Sequence, residues 1–260
     1  MKLKLMGMSM SVAVGVAAIG ACNTQGPEAR CTVALGAFAT TYTLKDGQDP
    51  NAACAKLTPE RVGMQKFFAG EEGGPDSIGM RSGRMGQLPG QLGLRADPAP
   101  LYEPTAVGEM ATEFPGADNF CDVPELTPAR LQAPALAAGF PDGGTLPDGG
   151  IPPAQAAQDI TYEWSNLRVY NTPQIPGTQL MADLRYTSNG CTAEYKVKGI
   201  WPTVSCNTGG KPDETKCDPL PDPSVNRLRG SGINRLFPVK CDPVALICVL
   251  TGEVPSDENP

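Results

Sequence analysis

Eight cysteines spread along the chain, Cys31, Cys54, Cys121, Cys191, Cys206, Cys217, Cys241 and Cys248, constrain its fold more than any other feature. No two of them stand as Cys-x-x-Cys, so neither a zinc knuckle nor a thioredoxin-like redox site is indicated. The 260 residues include no histidine. That excludes Ser-His-Asp and Cys-His catalysis, and histidine-ligated metals with them. An even set of cysteines in an exported chain reads as a disulfide framework. A ninth cysteine, Cys22, stands apart from the set and needs its own account.

The first residues point to export. Met1-Lys2-Leu3-Lys4 is short and basic, and Leu5 to Ile19 continue without a charge. A membrane-spanning helix needs roughly 20 apolar residues, so this run reads as a secretory signal over residues 1–21, removed on maturation. Its exit, Ile19-Gly20-Ala21-Cys22, resembles the lipobox of bacterial lipoproteins. The resemblance implies that Cys22 becomes the first mature residue and carries covalent diacylglycerol and an N-acyl chain. Asn23, in place of Asp, implies sorting to the outer membrane, on either of its faces. Ordinary cleavage before Ala21 would instead leave Cys22 a free thiol. Under the lipobox reading residues 22–30 are a lipidated tether. Several acyl chains make such an anchor stable where one alone is marginal.

Without Lys2 and Lys4, 19 basic residues face 28 acidic ones, a formal charge of −9. A nucleic-acid partner would need a basic face and is not expected. With 30 glycines and 27 prolines, the composition predicts an ordered core with much loop, stapled where burial is thin. The expected fold is mainly β: a disulfide-stapled antiparallel sheet or sandwich over residues 31–260, with long Gly/Pro-rich loops and one or two short helices.

Residues 31–44 mix small and β-favouring residues and predict one strand. Leu57-Thr58-Pro59-Glu60-Arg61-Val62 reads as a helix start ending by Gly70, with Thr58 as cap, Pro59 in the first turn and Leu57 stapled to Val62. The same grammar returns at Leu126-Thr127-Pro128. Residues 69–100, rich in glycine and carrying Arg81, Arg84 and Arg95, lack phosphate-binding spacing and predict a surface loop. Pro-Asp-Gly-Gly occurs twice in 140–153. This places a surface loop, or a linker between two halves, at 135–153.

Alternation is clearest further on. Leu180, Ala182, Leu184 and Tyr186 form one face, and Cys191, Ala193, Tyr195 and Val197 another, around Asn189-Gly190; this is a β-hairpin signature. Residues 160–170 predict a third strand whose alternation slips near Ser165, a bulge. "LFPVKCDPVALICVL" predicts a strand, a turn and a buried apolar strand. One bridge, Cys206–Cys217, is expected to close the intervening loop. Both tryptophans and four of six tyrosines fall between Tyr162 and Trp201; they read as core filling ahead of a stacking surface.

No catalytic residues are nominated, and no metal or other cofactor is expected. The Asp-Gly-Gly repeats and the cysteine-rich tail resemble cysteine-rich outer-membrane lipoproteins of myxobacteria, which mostly lack an assigned activity. The expectation is a lipid-anchored outer-membrane protein with a non-catalytic binding or structural role, engaging an envelope protein or a polysaccharide. The alternative is a hydrolase working through a carboxylate pair.

Overall fold

In the computed structural model, residues 30–70, 74–96, 98–139 and 150–256 are described. The signal segment, Cys22 and the Pro-Asp-Gly-Gly repeats up to Gly149 lie outside them. The protein is mainly β with antiparallel pairing throughout. The strands in chain order are β1 (Gly36–Leu44), β2 (Glu60–Phe67), β3 (Ser77–Ser82), β4 (Leu101–Glu103), β5 (Ala106–Glu109), β6 (Phe120–Glu125) and β7 (Ala129–Ala133). The long strands β8 (Gln158–Asn171), β9 (Pro176–Ser188) and β10 (Cys191–Ile200) come next. Together they form one sheet in the order β4-β7-β8-β9-β10-β1-β2-β3-β5, with β6 also paired to β8.

The two halves of the chain interleave in that sheet, because β1 pairs with β10 and β7 with β8. The sheet then curls until β5 meets β6. Across this seam Ala111 N–H donates to Asp122 O and Thr127 N–H to Val107 O, each at 2.8 Å. Gly108 makes the approach feasible. A Cβ there would lie 2.6 Å from Val123 Cγ1 and 2.8 Å from Leu126 Cγ, and closer still to Glu125 O. The result is a barrel whose interior is filled by Phe38, Ile78, Met80, Leu131, Tyr162 and Leu180, among others, all inaccessible to solvent.

The hairpin and bulge stand where alternation put them. Asn189 and Gly190 both have positive φ, 50° and 83°, as the tight turn matching strand twist requires. In β8 the pairing moves from Ser165↔Asp183 to Arg168↔Met181, so β8 carries one extra residue. Asn166, with φ 50°, absorbs it. Inward residues accordingly change from Ile160, Tyr162 and Trp164 to Leu167 and Val169. The aromatic group is largely core: Tyr162, Trp164, Tyr170 and Tyr195 are buried.

Three expectations are corrected. Thr58-Pro59 and Thr127-Pro128 open strands β2 and β7, not helices. Their threonines serve other elements: Thr58 Oγ1 accepts from Arg84 Nη2 at 2.9 Å and Thr127 Oγ1 from Val107 N–H at 2.9 Å. The residues after each Thr-Pro pair have period two, with Val62/Met64 and Ala129/Leu131/Ala133 buried in alternation. Burying that face outweighs a local capping pattern. Second, residues 69–100 are not all loop: they hold β3 and the helix α1 (Gly83–Gln91). Three glycines and Pro89 make it a poor intrinsic helix. It forms because Ser82 caps it, accepting from Met85 N–H at 3.1 Å, and because Met85 is fully buried.

Third, Cys206 does not bond Cys217. The bridges are Cys31–Cys121, Cys54–Cys191, Cys206–Cys241 and Cys217–Cys248. The loop between Cys206 and Cys217 closes without a bridge, through β11 (Asn207–Thr208), β12 (Lys211–Pro212) and the Asp213 N–H to Cys206 O bond. Both cysteines then reach the last hairpin, β13 (Val239–Cys241) and β14 (Cys248–Leu250), where Cys241 and Cys248 face each other across the ladder. This C-terminal lobe packs Phe237, Ile247, Val249 and Leu250 onto Ala39, Tyr170 and Ile200 on the barrel's outer face. Closing loops of 35 and 31 residues is worth about 4 kcal/mol each in the chain-entropy model, which compensates for the lobe's thin core.

Candidate functional site

Strand directions give the barrel two ends, and each concentrates polar chemistry. At the far end β1 finishes, β2 begins, and α1 lies across the opening. Glu60, first residue of β2, is 8% exposed. Its carboxylate accepts from Tyr42 Oη at 2.7 Å, Ser82 Oγ at 2.8 Å and Arg84 N–H at 2.7 Å. The last of these is an unsatisfied donor of the α1 N-terminus, where a negative charge is favoured. Burial, and then the Glu60 carboxylate, push the Tyr42 phenol well above its ordinary range. Tyr162 is raised by the same two causes. Its buried Oη lacks a hydrogen bond among the described residues. Burial works against the Arg84 charge, but Tyr162 and Glu60 outweigh it and hold the guanidinium above its ordinary value.

This cluster bolts α1 onto the barrel. The cleft beside it is lined by Glu60, Arg61, Arg84, Gln87 and Gln91, among others, with Glu60 the only carboxylate among the described residues that line it. Carboxylate catalysis of glycoside cleavage needs two. The Cys54–Cys191 bridge braces the same end, and Tyr195 Oη donates to Cys54 O at 2.5 Å.

The near end is where the described chain enters. Cys31 is held by its bridge to Cys121, and its N–H donates to Glu113 O at 2.8 Å. Lys66 Nζ donates to Cys31 O at 2.6 Å and pairs with Asp76 at 2.6 Å; Arg30 pairs with Glu113. A cleft of about 480 Å³ opens here, lined by Arg30, Lys66, Phe68, Asp76 and Glu113, among others. The Lys66 hydrogen bond, and after it that of the Ala69 N–H, holds the Asp76 carboxyl below its usual range. Asp76 is therefore an anion bound to a cation, unsuited to act as a general acid, which needs a raised pKa.

A family model described as MlpA matches residues 36–202. The chain belongs to the MlpA family. MlpA of Myxococcus xanthus, which is named as a lipoprotein, is 29% identical over 248 residues, covering 90% of each chain. No solved structure matches. The MlpA match runs from the first residue of β1 to just past β10. It therefore spans every strand of the barrel and the far-end cluster, while the C-terminal lobe lies beyond it.

Of the residues singled out in the sequence, the eight framework cysteines come together in four bridges, one at each barrel end and two in the lobe. Ile19, Gly20, Ala21 and Cys22 lie outside the described residues. The far-end cluster of Tyr42, Glu60, Ser82 and Arg84 was not singled out in the MlpA-family chain, because Glu60 sits inside the Thr-Pro-Glu pattern that imitates a helix start. The usable signal was the alternation of Glu60, Val62 and Met64. Three sulfurs, of Cys206, Cys217 and Cys248, lie within 4.8 Å of one another. Each is spent in a disulfide, so no thiolate is there to bind zinc.

Proposed function

We propose that this MlpA-family protein is an outer-membrane lipoprotein, anchored through acyl chains on Cys22, whose body has a non-catalytic binding or structural role at the cell envelope. Its partner would be another envelope protein or a polysaccharide. The observation that carries the reading is the fastening of the chain's entry. Where the proposed tether meets the body, Arg30 and Cys31 are tied to the barrel by a disulfide, two ion-pair or lysine contacts and a backbone hydrogen bond. A body held to a membrane at one point needs that point secured to its core. All eight other cysteines are paired, which leaves Cys22 with no partner thiol in its own chain. The relative named as a lipoprotein supports the lipid-anchor part of this reading.

A carboxylate hydrolase is less well supported. Among the described residues, both carboxylates of the near-end cleft are paired with cations, and Glu60 already accepts three hydrogen bonds. The test is the intact mass of the mature protein extracted from bacterial membranes. We expect a chain beginning at Cys22 with acyl chains and no free thiol. On reduction it should gain eight hydrogens, and Cys22→Ser should release it from the membrane fraction. A lipid-free mass beginning at Ala21 would refute the anchor. Cleavage of a glycan panel, abolished by one Asp or Glu substitution, would refute the non-catalytic role.

A further inference from the structure

Phenylalanine is scarce in this chain, and Phe38, Phe120 and Phe237 are buried, yet Phe67 and Phe68 stand side by side at 46% and 80% exposure. Both lie at the near end, where β2 finishes. Phe67 rests on the outer face against Gly79, where a Cβ would come within 3.0 Å of its ring. Gly79 pairs with Val107, itself 42% exposed. Leu35, 69% exposed, immediately precedes the start of β1 at the same end. These apolar groups adjoin the chain's entry through one residue: Lys66 bonds Cys31 O and stands 4.9 Å from the Phe68 ring centroid.

We propose that this near-end face, carried by Phe67, Phe68 and Val107, is the surface on which the body rests against the lipid bilayer. The inference rests on the lipid-anchor reading, and the reach of the tether selects the occupant. Arg30 lies eight residues beyond Cys22, at most about 29 Å of extended chain. The far rim of the longest strands is a further 13-residue strand away at β9, roughly 40 Å along an untilted strand. An anchor at Cys22 therefore holds the chain's entry, and with it the near end, as the part of the body nearest the lipid. Aromatic rings there settle at the boundary between headgroups and acyl chains.

The seat is apolar more than electrostatic. Lys66 is paired with Asp76 and Arg30 with Glu113, so neither cation is free to attract anionic lipid, and contact should be insensitive to salt. It is also shallow. Glu109 is exposed on the strand that carries Val107, and carboxylates are kept out of hydrocarbon.

The test uses the full mature chain, reconstituted in phosphatidylcholine vesicles whose acyl chains are brominated near the headgroup. Two variants each add one reporter: Phe68→Trp at the near end and Leu92→Trp, just past α1 at the far end. Bromine should remove about half of the emission added by Phe68→Trp, as expected for a ring at the headgroup boundary, and none of that added by Leu92→Trp. Raising the salt should change neither result. If mass and flotation show a lipidated, vesicle-bound protein but Phe68→Trp is not quenched, the anchor stands and this face is free for another partner, which overturns the proposal. Equal quenching of both reporters means the body has no preferred face and overturns it as well. A chain without lipid that does not float sinks the anchor reading, and this one with it.

Discussion

Removing the Glu60 carboxylate should loosen α1 before it damages anything else. In Glu60→Ala, the Tyr42 hydroxyl, Ser82 hydroxyl and Arg84 N–H lose their common acceptor. Hydrogen bonds to a charged group contribute roughly 1.5–3 kcal/mol each. The three are not additive, because the Arg84 amide borders a cleft that admits water and the Ser82 hydroxyl can turn. The expected loss is therefore about 3–4 kcal/mol for Glu60→Ala. Glu60→Gln, which keeps one acceptor oxygen, should lose about 2 kcal/mol, and Tyr42→Phe about 1 kcal/mol. Equilibrium unfolding in guanidinium with the disulfides intact, monitored by emission of the buried Trp164, measures each value. The double variant Tyr42→Phe/Glu60→Ala should show a coupling of about 1 kcal/mol. Amide exchange at Met85, whose N–H bonds Ser82 Oγ, should rise sharply in Glu60→Ala. A loss below about 1 kcal/mol, or no coupling, would show that Glu60 does not hold the helix to the barrel.

Gly108→Ala places a methyl against Val123 and Leu126 at the seam and should cost about 2–4 kcal/mol by overpacking, read in the same unfolding assay; a neutral result would mean the seam is not closed. The Asp76 carboxyl is held below its usual value by Lys66, so its contribution is complete above about pH 4 and disappears as pH falls through the lower folded value. Asp76→Asn should therefore be less stable than the parent at neutral pH and lose less on acidification; parallel acid limbs would refute the pairing. Cutting the chain at a protease site inserted between Gly144 and Thr145 should leave both pieces together on a non-reducing gel, because Cys54–Cys191 spans the cut; two separable halves would refute the bridge and restore the two-domain reading.

Alternation carried far in this sequence. The β9–β10 hairpin, the β8 bulge and the buried last strand were all legible, since a period of two with Asn-Gly at a turn has few competing readings. The Thr-Pro segments were misleading for a physical reason: proline's φ and a threonine oxygen suit a helix start and a strand start alike, and the choice depends on which donor arrives. Here the donors are Arg84 and the Val107 amide, both distant in sequence. Helix α1 was illegible because its stability resides in Glu60, Ser82 and the burial of Met85, not in its own residues. The polar cluster was missed for the same reason, its members being spread from Tyr42 to Tyr162.

The sequence alone raised the expectation of an export signal with a lipobox-like exit, and determined that the chain builds a mainly antiparallel β body stapled by eight cysteines. These features arise from local composition and from periods that neighbouring residues impose on each other. Only the tertiary structure decided which cysteines pair, that the sheet curls until β5 meets β6 over Gly108, and that Glu60 sits beneath a helix. Pairing depends on which sulfurs arrive within bonding distance, and closure on a space too small for one methyl group. Both are set by contacts between residues far apart in the chain, which no local pattern encodes.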